Sequence, residues 1–160
     1  MRRILLTGMS GTGKSTALVE LEQRGFAVVD TDRGGWSVWS DDDGGYVWRE
    51  DRIADLLERD DERTLYVSGT VSNQGRFYDR FDAVVLLHAP AEVLLRRIAT
   101  RTTNDYGKSS EERDLVLRDL AEVEPLLRAT CTHTVDASQP VDVVVAQLAA
   151  IGEGLTTGPT

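Results

Sequence analysis

The stretch that decides the fold is LLTGMSGTGKST, residues 5–16. A short apolar run leads into Gly8, and the residues from Gly8 to Ser15 satisfy the pattern G-x-x-x-x-G-K-[ST]. An apolar strand is predicted before this pattern and an amphipathic helix after it. In that setting successive backbone N–H groups can face a phosphate, and the helix N-terminus adds partial positive charge. We call residues 8–15 the phosphate loop and expect it to bind the phosphates of a nucleotide.

The chemistry of the loop side chains indicates ATP and Mg²⁺ as the cofactors. Lys14 is expected to bridge the outer phosphates, and the Ser15 hydroxyl is suited to Mg²⁺. The residues predicted to contact the nucleotide here are Gly8, Ser10, Gly11, Thr12, Gly13, Lys14, Ser15 and Thr16.

Composition limits the classes of partner. The chain has 160 residues, 41% of them hydrophobic and 28% charged, and its formal net charge is −9. Such a balance predicts one globular domain, over 1–151, with a disordered tail over 152–160. The net negative charge argues against a nucleic-acid partner. Cys131 is the only cysteine and no 18-residue apolar run occurs, so we expect a cytoplasmic protein with no membrane partner.

Short apolar runs alternate with segments of helical period, which is typical of an α/β fold built on a parallel sheet. Five strands are predicted: Ile4–Thr7, Ala27–Asp30, Leu65–Ser68, Ala83–His88 and His133–Val135. Helices are predicted from about Lys14 to Gly25, Trp48 to Asp60, Pro90 to Arg101, Ser109 to Arg128 with a bend at Pro125, and Val141 to Ile151. Two polar, glycine-containing stretches, 31–47 and 102–109, are predicted to be irregular, and the second is a candidate lid.

An acidic pair, Asp30 and Asp32, follows the second predicted strand. Carboxylates two residues apart on an extended segment point the same way, and the carboxyl edge of a parallel sheet is where such folds bind ligands. We expect Asp30 to support Mg²⁺ and Asp32 to orient or deprotonate an acceptor hydroxyl. The alternative is a pair of ordinary turn-forming aspartates.

Arg97 and Arg101 lie four residues apart on a predicted helix, so they share one face and repel each other unless an anion lies between them. A solvated helix face is the simpler interpretation. The functional interpretation makes both arginines catalytic, with the polar segment behind them folding over bound ATP to exclude water.

These features together resemble the small P-loop kinases: adenylate kinase, shikimate kinase and gluconate kinase. The resemblance covers residues 3–150 and depends on the phosphate loop, on LLRRIATR at 94–101 and on VDASQPVDVV at 135–144. It implies a three-layer fold whose five-stranded parallel sheet has the order 2-3-1-4-5, with helices on both faces and a short lid. It also implies that Arg97 lies near the adenine and phosphates, and that Arg101 or the lid adds charge at the transferred phosphate. The adenine would pack on Asp136, Ser138, Gln139 and Pro140.

Within that family the acidic pair is more similar to shikimate kinase than to adenylate kinase. GGYVWRE at 44–50 is similar to the segment that binds the shikimate carboxylate, which implies a role for Arg49. VSGT at 67–70 stands where shikimate kinase has a glycine triplet, so Gly69 is the matching position. Asn73 and Arg76, which follow the same strand, are further candidates for the acceptor site beside Asp32. The chain departs from the pattern in having only one glycine of the triplet.

An insert that carries Trp36, Trp39 and Trp48 has no counterpart in the family pattern. These tryptophans could form an aromatic wall for a ring-bearing acceptor or could be packing residues.

The sequence therefore predicts an enzyme that moves the γ-phosphate of ATP to a small acceptor, acting as a monomer or simple homodimer. The acceptor could be the hydroxyl of a metabolite, as in shikimate and gluconate kinases, or a nucleoside monophosphate. For the second, Arg49, Arg52 and Arg76 are available as phosphate ligands. An ATP-hydrolysing regulatory switch is the alternative from another class, and a binding-only relic is disfavoured by intact Lys14 and Ser15.

Overall fold

A computed structural model describes residues 2–102 and 104–155 as helices and strands around one parallel sheet. In chain order the elements are β1 (Arg3–Thr7), α1 (Lys14–Gln23), β2 (Ala27–Asp30), β3 (Ser37–Ser40), β4 (Gly45–Trp48), α2 (Glu50–Glu58), β5 (Leu65–Ser68), a 3-10 helix (Gln74–Arg80), β6 (Ala83–His88), α3 (Ala91–Thr100), α4 (Ser110–Glu122), α5 (Glu124–Thr130), β7 (His133–Asp136) and α6 (Val141–Gly152).

The central sheet has the strand order β2-β5-β1-β6-β7, and all of its neighbouring strands are parallel. When only these five strands are counted, the order is 2-3-1-4-5, so the predicted topology is confirmed. The different numbers in the observed order arise because β3 and β4 form a separate hairpin. Leu5, in the central strand β1, pairs with Val67 on one side and Val84 on the other.

Helices cover both faces of this sheet and bury its apolar residues. One face packs against α1 and α6, with Leu6, Leu21 and Leu148 completely buried among their neighbours. The opposite face packs against α2 and the 3-10 helix, where Ile53 and Phe77 contribute. Strands covered on both faces read as continuous apolar runs, which explains why β2, β5 and β6 have the predicted bounds.

The prediction that residues 31–47 are irregular is wrong. This segment contains the antiparallel hairpin β3–β4, in which Ser40 pairs with Gly45 across a turn of aspartates and Gly44. Gly44 has φ 67°, a left-handed conformation that favours glycine in tight turns. The strands are only four residues long, and Trp48 is the one fully buried residue in them, so the turn-forming residues dominate the sequence pattern.

The helix predicted over 109–128 is two helices, α4 and α5, which separate at Val123. Pro125 lies in the first turn of α5, where its missing N–H costs nothing. The predicted cap at the start of α4 is present, because the Ser109 hydroxyl accepts a 3.1 Å hydrogen bond from the Glu112 N–H.

Gly152, the first residue of the predicted tail, is the last residue of α6. Residues 156–160 of that tail lie outside the described residues, as does Thr103 of the predicted lid. Among the described helices, none combines the length and apolar character needed to cross a membrane.

Candidate functional site

The phosphate loop connects β1 to α1 at the carboxyl edge of the sheet, beside a cavity of about 540 Å³. The cavity is lined by Ser10, Gly11, Gly13, Lys14, Ser15, Thr16, Asp30, Asp32, Arg33, Arg97, Arg101 and Asn104. Four cationic side chains and two carboxylates are in this lining, so its net charge is positive. A cavity of this size and charge at a helix N-terminus is suited to a nucleoside triphosphate.

Glycine is required at two positions of the loop by backbone conformation and space. Gly8 has φ 150°, and a Cβ built on it would lie 2.4 Å from the carbonyl oxygen of Leu87. Gly11 has φ 88°, and a Cβ there would lie 3.0 Å from the carbonyl oxygen of Leu94. The loop therefore packs directly against β6 at Gly8 and against α3 at Gly11.

Lys14, the predicted phosphate ligand, lines the large cavity. Its Nζ donates to the carbonyl oxygens of Gly8 at 2.6 Å and Met9 at 3.2 Å. Burial lowers the pKa of Lys14 to about 8, although Asp32 and Asp30 act in the opposite direction. Phosphate oxygens could replace the two carbonyl acceptors without leaving the ammonium unpaired.

Ser15 and Asp30, the predicted metal ligands, are in contact. The Ser15 Oγ donates a 3.0 Å hydrogen bond to Asp30 Oδ2, which joins the first turn of α1 to the end of β2. Hydroxyl and carboxylate oxygens are hard ligands of the kind that Mg²⁺ prefers, and both side chains line the cavity. The residues present therefore fit a magnesium ion bound beside nucleotide phosphates.

Asp32 faces the same region as Lys14 and lines both this cavity and a smaller one beside it. Its backbone N–H donates to Asp30 Oδ1 at 3.0 Å, so the turn orients the two carboxylates relative to each other. Burial raises the pKa of Asp32, and the neighbouring Asp30 raises it further, while Lys14 opposes both. A carboxylate with a raised pKa is a better proton acceptor than an ordinary one.

Arg97 connects the cavity to the loop that follows β7. Its Nη2 donates to the carbonyl oxygen of Ala137 at 2.6 Å. In that loop Asp136 accepts hydrogen bonds from the N–H and hydroxyl of Ser138, which lower the pKa of Asp136. Pro140 precedes the first turn of α6. Gln139 lies between Ser138 and Pro140 in the same short loop. The segment predicted to pack on adenine is therefore hydrogen-bonded to an arginine that lines the large cavity.

The Arg101 side chain binds backbone carbonyl groups of the predicted lid. Its guanidinium donates to the carbonyl oxygens of Asn104 at 3.0 Å and Tyr106 at 2.6 Å. The Lys108 ammonium in turn donates to the Arg101 carbonyl oxygen at 2.6 Å. Burial lowers the pKa of Arg101. The described lid residues thus fold around this arginine, which also lines the large cavity.

Three of the predicted acceptor residues lie around Trp48 instead of lining either cavity. Asn73 accepts a hydrogen bond from the Trp48 N–H and donates to its carbonyl oxygen. Arg76 pairs with Glu50 at 2.9 Å on the surface. A Cβ on Gly69 would lie 3.0 Å from the Trp48 Nε1. These contacts give Asn73 and Gly69 packing roles in the structure.

The tryptophans of the insert do not form one wall. Trp48 is 1% exposed and its Nε1 donates to Thr31, so it is a packing residue. Trp36 lies under the guanidinium of Arg52, and Trp39 is 54% exposed on the hairpin. Arg49, at the start of α2, is exposed and lines neither cavity.

Sequence reasoning missed several residues of the smaller cavity, which has a volume of about 210 Å³. It is lined by Gly8, Met9, Ser10, Lys14, Asp32, Thr70, Tyr106, Val116 and Asp119. Thr70 donates to the Gly8 carbonyl oxygen at 2.8 Å and accepts from the Gly8 N–H at 3.2 Å. Its position two residues after the end of β5 was a usable signal. The local sequence gives no indication of a site at Asp119, because only the tertiary packing of α4 brings this residue to the smaller cavity.

The comparisons with known proteins agree with this architecture. A family model described as an AAA domain matches residues 4–118, which include the phosphate loop and most of α4. No curated protein matches the chain in sequence.

Two shikimate kinases and a gluconokinase are among the solved structures similar to this one. A shikimate kinase from Bacteroides thetaiotaomicron has a TM-score of 0.67 at 19% identity, covering 95% of this chain and 98% of its own. A shikimate kinase from Acinetobacter baumannii, in complex with shikimate, has a TM-score of 0.66 at 19% identity, with coverage of 96% and 94%. A gluconokinase from Sinorhizobium meliloti 1021 has a TM-score of 0.60 at 23% identity, with coverage of 96% and 94%. The chain therefore has the fold of the small P-loop kinases over nearly its whole length.

Proposed function

Since this chain belongs to the AAA domain family, we propose that it is a phosphotransferase that uses ATP and Mg²⁺ to phosphorylate a hydroxyl of a small metabolite. One observation carries the proposal: Lys14, Asp32 and the Ser15–Asp30 pair converge on one cavity at the phosphate loop. A hydrolase needs only a site for water beside the nucleotide. Here a second cavity, also lined by Lys14 and Asp32, offers room for an acceptor.

The reaction balances with the groups present. The acceptor hydroxyl oxygen forms a bond to the γ-phosphorus, the bond from that phosphorus to the β–γ bridging oxygen breaks, and ADP leaves. Asp32 accepts the hydroxyl proton, for which its raised pKa is suited. Lys14 leaves the carbonyls of Gly8 and Met9 to neutralise charge on the phosphates.

The remaining side chains bind and position the nucleotide. Ser15 and Asp30 would hold Mg²⁺, which would neutralise negative charge on the nucleotide phosphates. Arg97 and Arg101 add positive charge along the large cavity. Positioning and electrostatic stabilisation supply most of the acceleration in such transfers.

A nucleoside monophosphate acceptor has less support. Such an acceptor needs cationic side chains around its phosphate, and the three arginines considered for that task lie outside the smaller cavity. Arg76 pairs with Glu50, and Arg52 donates to the carbonyl oxygens of Gly34 and Gly35. A hydroxylated metabolite is therefore the favoured acceptor class.

The test measures ADP release from purified protein with ATP and Mg²⁺ across a panel of hydroxy acids, sugars, amino alcohols, nucleosides and nucleoside monophosphates. We expect at least one hydroxylated compound to stimulate ADP release, and Lys14→Ala to abolish the stimulated rate. The control is Arg24→Ala, which removes an exposed cationic side chain that lines neither cavity. ADP release that no compound stimulates would instead support an ATP-hydrolysing switch. A protein that neither binds nor turns over ATP would contradict both functions.

A further inference from the structure

We infer that the acceptor carries an ammonium group beside the hydroxyl that is phosphorylated, and that Asp119 binds this ammonium. The inference rests on the proposed function and narrows its substrate class to amino alcohols and amino sugars. It follows from the charges that line the smaller cavity, from the location of the nearby arginines and from the groups around Asp119.

The linings of the two cavities at the phosphate loop have net charges of opposite sign. Arg33, Arg97 and Arg101 line the larger one, which suits phosphates. In the smaller one the charged side chains of the described residues are Lys14, Asp32 and Asp119. Lys14 donates to carbonyl groups of the phosphate loop, and in the proposed function it binds the nucleotide phosphates. The carboxylates of Asp32 and Asp119 therefore remain to face an acceptor. An anionic acceptor would be repelled there, whereas a cationic one is attracted.

The arginines that could have received an acceptor carboxylate or phosphate have other partners. Arg76 forms an ion pair with Glu50. Arg52 stacks on Trp36, with its guanidinium carbon 4.3 Å from the ring centroid. Neither of these arginines lines the smaller cavity, where Lys14 is the cationic side chain among the described lining residues.

Asp119 lies at the open rim of the cavity, on the same side as Val116, one turn earlier on α4. None of the hydrogen bonds or ion pairs among the described residues engages its carboxylate. Burial and the nearby Glu122 raise the pKa of Asp119, with Arg118 opposing them. Its charge also reaches Tyr106 on the lid, whose pKa is raised by burial and then by Asp119 and Glu112. The Asp119 carboxylate is therefore available to a cationic group of an acceptor.

The two carboxylates consequently have separate tasks. Asp32 also lines the nucleotide cavity, so it is the one placed to receive the hydroxyl proton. Asp119 does not line the nucleotide cavity and acts as a specificity-determining residue for the acceptor's ammonium. The Thr70 hydroxyl already forms hydrogen bonds with Gly8 and Thr7. Thr70 therefore shapes the wall of the smaller cavity and does not bind the acceptor.

The experiment uses triads of compounds that share hydroxyls but differ in one group. Glucosamine, glucose and glucuronate form one triad, and ethanolamine, ethylene glycol and glycolate form another. Binding of each is measured calorimetrically to protein saturated with Mg²⁺ and a non-hydrolysable ATP analogue, and phosphorylation is measured separately with ATP. We expect the ammonium member of at least one triad to bind about tenfold more tightly than its neutral partner.

Two variants and a control assign this preference to Asp119. D119N should remove the tenfold preference, and D119K should transfer it to the carboxylate member of the same triad. D114N removes a carboxylate from the same helix that lines neither cavity, and should leave the preference unchanged.

The outcomes separate this inference from the proposed function. Ammonium-selective binding that D119N abolishes would uphold the Asp119 site even if no phosphate were transferred. Phosphorylation confined to neutral or carboxylate members would uphold the kinase and overturn the ammonium site. Equal binding of all members of every triad, or a preference that D119N leaves intact, would likewise overturn it.

Discussion

The Ser15 hydroxyl donates a 3.0 Å hydrogen bond to the Asp30 carboxylate, which joins the first turn of α1 to the last residue of β2. The hydrogen bond brings together two oxygen-bearing side chains from separate elements, both proposed as Mg²⁺ ligands. Such preorganisation lowers the cost of binding a metal ion, because the side chains lose little further freedom.

Asp30→Asn and Ser15→Ala are each expected to raise the Mg²⁺ concentration needed for half-maximal activity by about tenfold, since each removes or weakens one ligand. Because the two residues act together, the double variant should show less than the product of the single effects. Magnesium titrations of ATP turnover check this, with Asp42→Asn on the hairpin as a charge-matched control. If the two single effects multiply in full in the double variant, or if Asp42→Asn raises the Mg²⁺ requirement to a similar extent, a shared site is contradicted.

Gly69→Ala tests whether Gly69 packs against Trp48 or approaches a ligand. Its Cβ would lie 2.5 Å from Thr31 Oγ1 and 3.0 Å from Trp48 Nε1, so we expect a loss of about 1–3 kcal/mol in the free energy of unfolding. Gly75→Ala is the control, because a Cβ there meets nothing within 4 Å. Urea denaturation should show Gly75→Ala to be at least as stable as wild type. Wild-type stability of Gly69→Ala would contradict the packing role.

The sequence predicted the parts of this molecule whose signals are local. Gly8, Lys14 and Ser15 sit in a fixed spacing, and β5 and β6 are continuous apolar runs, so the loop and sheet followed from the pattern. The smaller cavity depends on tertiary packing that no spacing encodes. Asp119 lies 105 positions after Lys14 in the chain, yet the return of α4 brings both to one cavity.

The hairpin and the insert tryptophans illustrate a second limit. Short, exposed strands such as β3 carry little apolar periodicity, so aspartates and glycines at the turn dominate the pattern. Trp39 and Trp48 are equally aromatic in sequence, but one is 54% exposed and the other 1%. Only the surrounding fold, with Thr31 as hydrogen-bond acceptor, distinguishes a packing tryptophan from a surface one.

Arg97→Met should weaken nucleotide binding by about tenfold, because it removes a cation from the large cavity and frees the loop at Ala137. Arg96→Met is the matched control, since Arg96 is the adjacent exposed arginine on α3 and lines neither cavity. Calorimetric titration with ADP and Mg²⁺ distinguishes the two variants. Equal losses in both would attribute the effect to overall charge and contradict a specific role for Arg97.

Asp32→Asn should lower the rate of phosphate transfer by about a hundredfold or more while nucleotide affinity changes little, because it removes the proton acceptor. In the wild type the ionised carboxylate is the active form, so activity is retained above its pKa and lost below it. Since burial raises that pKa, the acid limb of the kcat/KM profile should lie above the range of an ordinary aspartate. A wild-type rate in Asp32→Asn, or an unchanged acid limb, would remove Asp32 from this role.

The titration of Lys14 provides a test that needs no acceptor. Burial lowers its pKa to about 8 in the free protein, and phosphates beside the ammonium must raise it again. At about pH 8.5 roughly three quarters of the free protein would hold neutral Lys14, so nucleotide binding should take up about 0.7 proton per molecule. At about pH 7 Lys14 is already mostly protonated, and the uptake should be close to zero.

Calorimetry in buffers of different ionisation enthalpy measures this uptake directly, using ADP with saturating Mg²⁺. Lys14→Arg is the matched variant, because a guanidinium keeps its proton at both pH values and should show no uptake on binding. The direction is fixed by the sign of the pKa change: binding raises the pKa, so protons are taken up rather than released. Binding that is independent of buffer at both pH values in the wild type would mean that Lys14 does not meet the phosphates.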